Sequence, residues 1–326
     1  PKLQAALRAG NFDYLVGEGV AQAEAGADVL DVNVGLPELD EVATLSHAVD
    51  TLASTLTLPL VFDSSDVVAL EVAVRTYAGK PLINSVNAKR ESLDAVLPLV
   101  KRYGCAVLGL TLDEEGIPPT AEGRLRAAER IVEAAEAAGI PREDVVIDCL
   151  VMAAATNQDE AREILRAVSL VKERLGVRTA LGVSNISFGL PQRGLMNATF
   201  LAAAFGAGLD LPILNPLSAR YRDVVASFKV LNGQDEGSRD YIAAYADTVD
   251  PYAPAPATGT TVAAAAAAAA AAAPAFAISV PPALADASEA VNAMIHHILS
   301  GQKGPMAQAT EALLETHDAL DVVNGI

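Results

Sequence analysis

The chain has 326 residues, 52% of them apolar, and carries 23 basic against 41 acidic side chains for a formal charge of −18. That size and apolar share fit one barrel- or sheet-sized domain with an appendage, and they exclude wholesale disorder. The acid excess is spread along the chain and excludes general binding to nucleic acid or to an anionic membrane, which needs clustered Lys and Arg.

The sequence opens in a helix-like run, KLQAALRAG, and then alternates short β-branched strands with amphipathic segments. Strands are predicted at Ala27–Gly35, Pro59–Ser65, Pro81–Asn87, Ala106–Asp113, Val145–Val151, Thr179–Ser187 and Leu211–Pro216. Their starts lie 22 to 39 residues apart, the length of a β-loop-α-loop unit, and their continuous apolar character suits a parallel sheet covered on both faces. Helices are predicted over Asp66–Ala78, from Ser92 to Gly104, from Thr120 to Gly139, and after a Thr156/Asp159 cap as far as Gly176.

Seven such units favour a (β/α)8 TIM barrel over a doubly wound sheet, although periodicity alone does not separate the two. Only seven strands are countable, so the first barrel strand is expected upstream of Pro1. The barrel is expected over residues 1–246, a Pro/Ala-rich linker over 247–285 with alanines at 263–273, and a short helical segment over 286–326. In that last segment one helix begins at Asp286 and a second spans Pro305–His317. Two cysteines, Cys105 and Cys149, are too few for a disulfide framework. No signal-peptide pattern or 18-residue apolar span is seen, so a soluble, cytoplasmic protein is expected.

Barrel chemistry sits where strands end, at the C-terminal face. Those positions hold Asp31 and Asn33, Asp63, Asn84, Thr111 and Asp113, Asp148, Asn185 and Asn215. No lysine stands there for a Schiff base, and His47, His296, His297 and His317 all lie elsewhere. Phosphate-loop and dinucleotide fingerprints are absent, and GAG at Gly206–Gly208 is a weak phosphate signal. Aspartates and asparagines at one mouth suit a flat heteroaromatic ring, because a carboxylate accepts two parallel N–H bonds and carboxamides serve the remaining edge. Two alternatives stay open. Each residue can simply cap the next helix, and Asp31, Asp63 and Asp148 can supply oxygen ligands to a cation such as magnesium.

The segments DVLDVNVG, FDSSD, LINSVN, VVIDCLV and GVSNISFGLPQR, in this order, resemble the methyltetrahydrofolate-binding domain of the cobalamin-dependent methionine synthase and corrinoid methyltransferase family. The wider group is that of pterin-binding barrels, and the resemblance covers about residues 1–242. It implies a methyltransferase with methyltetrahydrofolate as substrate and cobalamin on a partner domain. It further implies that Asp63, Asn84 and Asp148 hold the pterin edge, with Asn185 beside the methyl-bearing N5. Asn185 and Asp148 would then be the catalytic pair, and Arg193 would contact substrate or order its loop. Asn33 is a weaker carry-over, and the family's first strand would add a glutamate. The tail, with VNAMIHHILSG, resembles the first helices of the cobalamin module's helical cap, although the Asp-x-His-x-x-Gly corrinoid motif is absent from this chain. The same resemblance leaves three other readings: a folate-binding module without turnover, a dihydropteroate synthase-like enzyme, and a metal-dependent barrel lyase.

Overall fold

The computed structural model describes residues 2–248, 290–291, 293–294 and 303–315. Two compact units divide after Thr248. The first contains seven strands: β1 Leu30–Asn33, β2 Leu60–Asp63, β3 Leu82–Asn87, β4 Ala106–Leu110, β5 Val145–Asp148, β6 Arg178–Gly182 and β7 Leu211–Ile213. They form one sheet in sequence order, and every adjacent pair is parallel. Its α-helices are α1 Lys2–Arg8, α2 Phe12–Glu24, α3 Glu41–Thr55, α4 Val67–Thr76, α5 Arg90–Tyr103, α6 Ala121–Ala137, α7 Glu160–Leu175, α8 Arg193–Gly206, α9 Ala219–Leu231 and α10 Arg239–Tyr245.

Alternation along each strand sorts the side chains into two layers. Leu30, Val32, Phe62, Ile83, Val107, Ile147 and Leu181 face outward and join Leu45, Leu70, Val100, Ile131 and Ile164 from the helices in the main core. On the opposite face Leu108, Val146 and Ala180 pack together with Leu82, Leu110 and Leu211 in a second, smaller core. The sheet curls around this inner layer. Asn84 Nδ2 on β3 donates to Asp31 Oδ2 on β1 at 3.3 Å, across the whole width of β2. Next-nearest strands of a flat sheet stand about 9.6 Å apart, so a bond of this kind needs a concave face. The architecture is the barrel type expected, with seven strands and an opening between β7 and β1 in which the described residues place no strand.

Several boundaries differ from the sequence reading for local reasons. All strands but β3 end earlier, and Val183–Ser187, read as the end of a strand, is a 3-10 helix. The fourth predicted strand stops at Leu110, which leaves Thr111 and Asp113 in the following loop. Ser92 does not start its helix. It lies inside α5, where its Oγ accepts from Asn87 N at 3.0 Å. The Thr156/Asp159 cap does not form either: Thr156 Oγ1 donates to Ala153 O, and Asp159 makes no capping bond. By contrast, Asp66 and Thr120 do cap α4 and α6 through bonds to Val68 N and Gly123 N. In the second unit α11 spans Lys303–Leu314, with Val291, Met294 and Leu313 buried. The linker, Asp286 and three of the histidines lie outside the described residues.

Gly109 shows how tightly the outer layer meets the sheet. A Cβ there would come within 2.7 Å of Ile131 Cγ2 and 3.1 Å of Ile147 Cδ1, side chains buried in the core. Gly109→Ala is expected to destabilise the barrel unit by about 1–3 kcal/mol. Urea unfolding checks this, and an unchanged midpoint would show that α6 is free to move outward.

Candidate functional site

Because the strands are parallel, their C-terminal ends share one rim, and the alternation decides which residues look into it. Asp31, Asn33, Asp63, Asn84 and Asp148 each follow or flank an outward apolar residue and therefore face the concave side. Contacts bear this out for the first three strands. Asn33 Nδ2 donates to Asp63 Oδ2 at 2.8 Å, next to the Asn84–Asp31 bond. Asp31 borders a small cavity of about 90 Å³ between α2 and β1. Crowding by protein atoms, and then the nearby Asp63 carboxylate, push its pKa up to about 6, against a lowering by Asn84. Asp31 keeps an open path to water, which tempers the first of these effects.

Asp148 is the most enclosed member of the rim, with 6% of its surface exposed. Burial raises its pKa to about 6, opposed by the Leu150 N–H and then by the Arg124 guanidinium. The first of these opposing bonds runs from Leu150 N to Oδ1 at 2.7 Å, and Leu150 itself has a left-handed backbone (φ 58°). No described residue hydrogen-bonds the other carboxylate oxygen.

Asn185 reaches the same rim by a route that sequence reading did not foresee. It sits in the 3-10 turn after β6, and its Nδ2 lies 3.1 Å from the place a Cβ on Gly182 would occupy. Gly182 alternates with Leu181, which faces the helices, so its missing side chain lies on the concave face. The amide therefore covers the mouth end of β6, and β6 pairs with the strand that carries Asp148. Arg193, the first residue of α8, holds that turn. Its Nε donates to Ser187 Oγ and its Nη2 to Ser184 O, both at 3.0 Å, while the guanidinium lies 4.6 Å from the Phe188 ring centre. Of the two roles foreseen for Arg193, ordering the loop is the one these bonds perform.

Other strand-end residues are engaged locally. Asn215 Oδ1 accepts from Leu217 N and Asp113 Oδ1 from Glu115 N, both within their own turns. Thr111 Oγ1 donates to Asp148 O behind the rim. In the acidic loop Glu114 is bonded by Arg130 and by Arg90 N, which hold its carboxyl well below the usual range. Cys149 is fully buried on the outward face, as expected from its place next to Asp148. Among the described residues no group of three His, Cys, Asp or Glu side chains is gathered to hold a metal ion. The residue that sequence reading missed is Arg124, a charge in the first turn of α6 with a fully buried side chain. Its spacing from Ala121, Ala128, Ile131 and Ala135 is the signal that could have found it, since it shares their buried face while Arg126 and Arg130 are exposed.

Known proteins match this chain in three ways. The sequence profile described as pterin binding enzyme matches residues 3–215. A methylcorrinoid:tetrahydrofolate methyltransferase of Eubacterium limosum is 30% identical over 249 residues, covering 75% of this chain and 92% of that protein. The methionine synthase of Mycobacterium leprae is 34% identical over 207 residues, and this match spans 60% of the chain but only 17% of the relative's length. Among solved structures, dihydropteroate synthase from Xanthomonas albilineans with 4-aminobenzoic acid superposes with a TM-score of 0.56 at 22% identity, over 69% of this chain and 88% of that one. The Yersinia pestis dihydropteroate synthase gives 0.55 at 18%, over 68% and 90%. Identities this low establish a shared barrel fold and no more.

The raised pKa of Asp148 has a consequence for stability. A carboxyl that binds its proton more tightly when folded stabilises the fold below its unfolded pKa, near 3.8, and loses that contribution as pH rises through about 6. Asp148→Asn removes the charge and keeps the shape. Relative to the parent it is expected to gain on the order of 1–3 kcal/mol at pH 8 and nothing at pH 4. Thermal unfolding at the two pH values measures this, and an equal difference at both would refute it.

Proposed function

The chain belongs to the pterin-binding enzyme family, and from that premise we propose that it is a methyltransferase that binds 5-methyltetrahydrofolate and passes the N5 methyl group to a corrinoid on a partner domain. The observation that carries this reading is the rim itself: inward Asp63, Asn84 and Asp148 on a curled sheet, with the Asn185 amide lying over Gly182 at the same edge. A reduced pterin presents adjacent ring N–H and amino donors, and a buried carboxylate that keeps one oxygen unbonded is suited to accept from them. Asp148 has that character. In this reading Asp63, held by Asn33, and Asn84 complete the polar edge.

The corrinoid, when bound to its own domain, supplies a strongly nucleophilic cobalt as methyl acceptor. The task of this chain is at the leaving atom. As the methyl–nitrogen bond breaks, its electron pair stays on N5, and a tertiary amine leaves poorly unless that pair is met by a proton or a hydrogen-bond donor. The Asn185 amide can donate to N5 as the bond lengthens and, once a proton from solvent has reached N5, accept from the new N–H, a stabilisation worth about two to three decades of rate. Asp148 and Asp63 hold the ring so that the methyl stays in line. The Eubacterium limosum relative's name writes the transfer from methylcorrinoid to tetrahydrofolate. The same donor atoms would serve either direction, since both pass through one transition state.

Within this proposal residues 1–246 are the folate barrel, 247–285 a linker and 286–326 the start of the cobalamin module's helical cap, supported by the VNAMIHHILSG sequence. Two thiols with no disulfide support a reducing, cytoplasmic setting.

Methyl transfer from 5-methyltetrahydrofolate to free Co(I) cobalamin tests the reading. Folate binding without any turnover would favour a docking module instead. Asn185→Ala is expected to slow transfer at least about tenfold with a smaller loss of folate affinity, and unchanged turnover would refute its role. Asp148→Asn is expected to weaken folate binding by about 1–3 kcal/mol, read by calorimetry.

A further inference from the structure

The buried guanidinium of Arg124 ties together three segments behind the rim. Its Nε donates to Pro118 O at 2.9 Å in the loop after β4, and its Nη1 donates to both Cys149 O and Leu150 O after β5. Its Nη2 pairs with Glu160 Oε2 at 3.1 Å in the first turn of α7. Three backbone carbonyls and one carboxylate satisfy a charge whose side chain has no exposed surface, which is the condition for keeping it buried.

One detail makes this more than a clasp. Cys149 C=O and Leu150 N–H belong to the same peptide unit. Arg124 donates to its oxygen while its N–H donates to Asp148 Oδ1. A peptide that accepts from a cation at one end becomes a stronger donor at the other, so the arrangement relays positive charge to the carboxylate. It also fixes the plane of that peptide, and the plane sets the direction in which the Leu150 N–H points at Asp148.

We propose that Arg124 is a positioning residue that keeps Asp148 charged and correctly aimed by acting through the Cys149–Leu150 peptide. The significance for catalysis rests on the reading that Asp148 grips the pterin; the electrostatic link itself does not. The titratable groups facing this chain of bonds are Arg124 from α6, Glu160 and Glu163 from α7, and Cys149 after β5. Glu160 matters most among the others, because it partly neutralises Arg124. Removing its charge should act on Asp148 in the sense opposite to removing Arg124.

The test has two readouts. The first is titration of the Asp148 carboxyl by ¹³C NMR in ligand-free protein, for the parent, Arg124→Met, Arg124→Lys and Glu160→Gln. Arg124→Met is expected to raise the titration midpoint by about one pH unit or more, Arg124→Lys by less because one ammonium cannot reproduce the fork, and Glu160→Gln to lower it. The second is the pH profile of 5-methyltetrahydrofolate affinity. Arg124→Met should bind about fivefold more weakly than the parent at pH 6, about twofold at pH 7, and nearly as well by pH 8 as Asp148 ionises. A merely structural clasp would weaken binding equally at every pH. If Arg124→Met does not fold, Arg124→Lys and Glu160→Gln still decide, since an unmoved Asp148 midpoint in both overturns the proposal. If the parent protein binds no folate, the functional reading fails, while the Asp148 midpoints still support or overturn the link to Arg124.

Discussion

A parallel sheet brings the C-terminal ends of all its strands to one edge, and the two-residue repeat then assigns every side chain near that edge to one face or the other. Here the outward residues are apolar with few exceptions such as Thr179, from Leu30 and Val32 through Phe62, Ile83 and Ile147 to Leu181, because they must pack against helices. Their inward neighbours are freed from that demand. Below the rim they are Leu82, Leu108, Val146 and Ala180, which fill the inside of the curl. At the rim they become Asp31, Asp63, Asn84 and Asp148. The site thus depends on the sheet curling enough for non-adjacent strands to meet, as the Asn84–Asp31 bond shows.

Gathering carboxylates in a concavity works against folding. Like charges repel, and each charge gives up hydration as the protein closes around it. The structure answers differently at each carboxylate. Asp63 and Asp31 receive amide donors from Asn33 and Asn84, strand residues of the same inner face. Asp148, more deeply buried, receives a backbone N–H from a left-handed turn backed by Arg124. Neither answer fully restores ordinary acidity: burial holds Asp148 near 6, and crowding together with the neighbouring Asp63 carboxylate raises Asp31 to a similar value, tempered by its exposure. Stability is given up to keep a carboxyl poised there, which under the proposed function serves to accept from a ring donor.

Asn185 and Arg193 show a second division of labour. The amide lies over Gly182, where a Cβ would crowd it, and the arginine grips the turn on both sides through Ser184 and Ser187. A group placed on a 3-10 turn can adjust its reach more easily than one fixed on a strand. Under the proposed function, that suits a residue that must follow a change at N5, whereas the residues proposed to hold the ring stay on the sheet.

Strand number, order and the inward identity of Asp31, Asn33, Asp63, Asn84 and Asp148 were legible in the chain itself, because apolar runs and alternation are local properties of consecutive residues. So were the caps at Asp66 and Thr120, where the acceptor and its N–H lie within three positions. The cap read at Thr156 and Asp159 failed, and Ser92 turned from a helix start into an acceptor for Asn87 N, because those polar groups found partners fixed by the surrounding loops. Only the tertiary structure could place the Asn185 amide over Gly182 or bury Arg124 against Pro118, Cys149, Leu150 and Glu160, which come from three separate segments. Periodicity says which way a side chain points from its own element. Which distant groups wait for it there depends on how the elements pack.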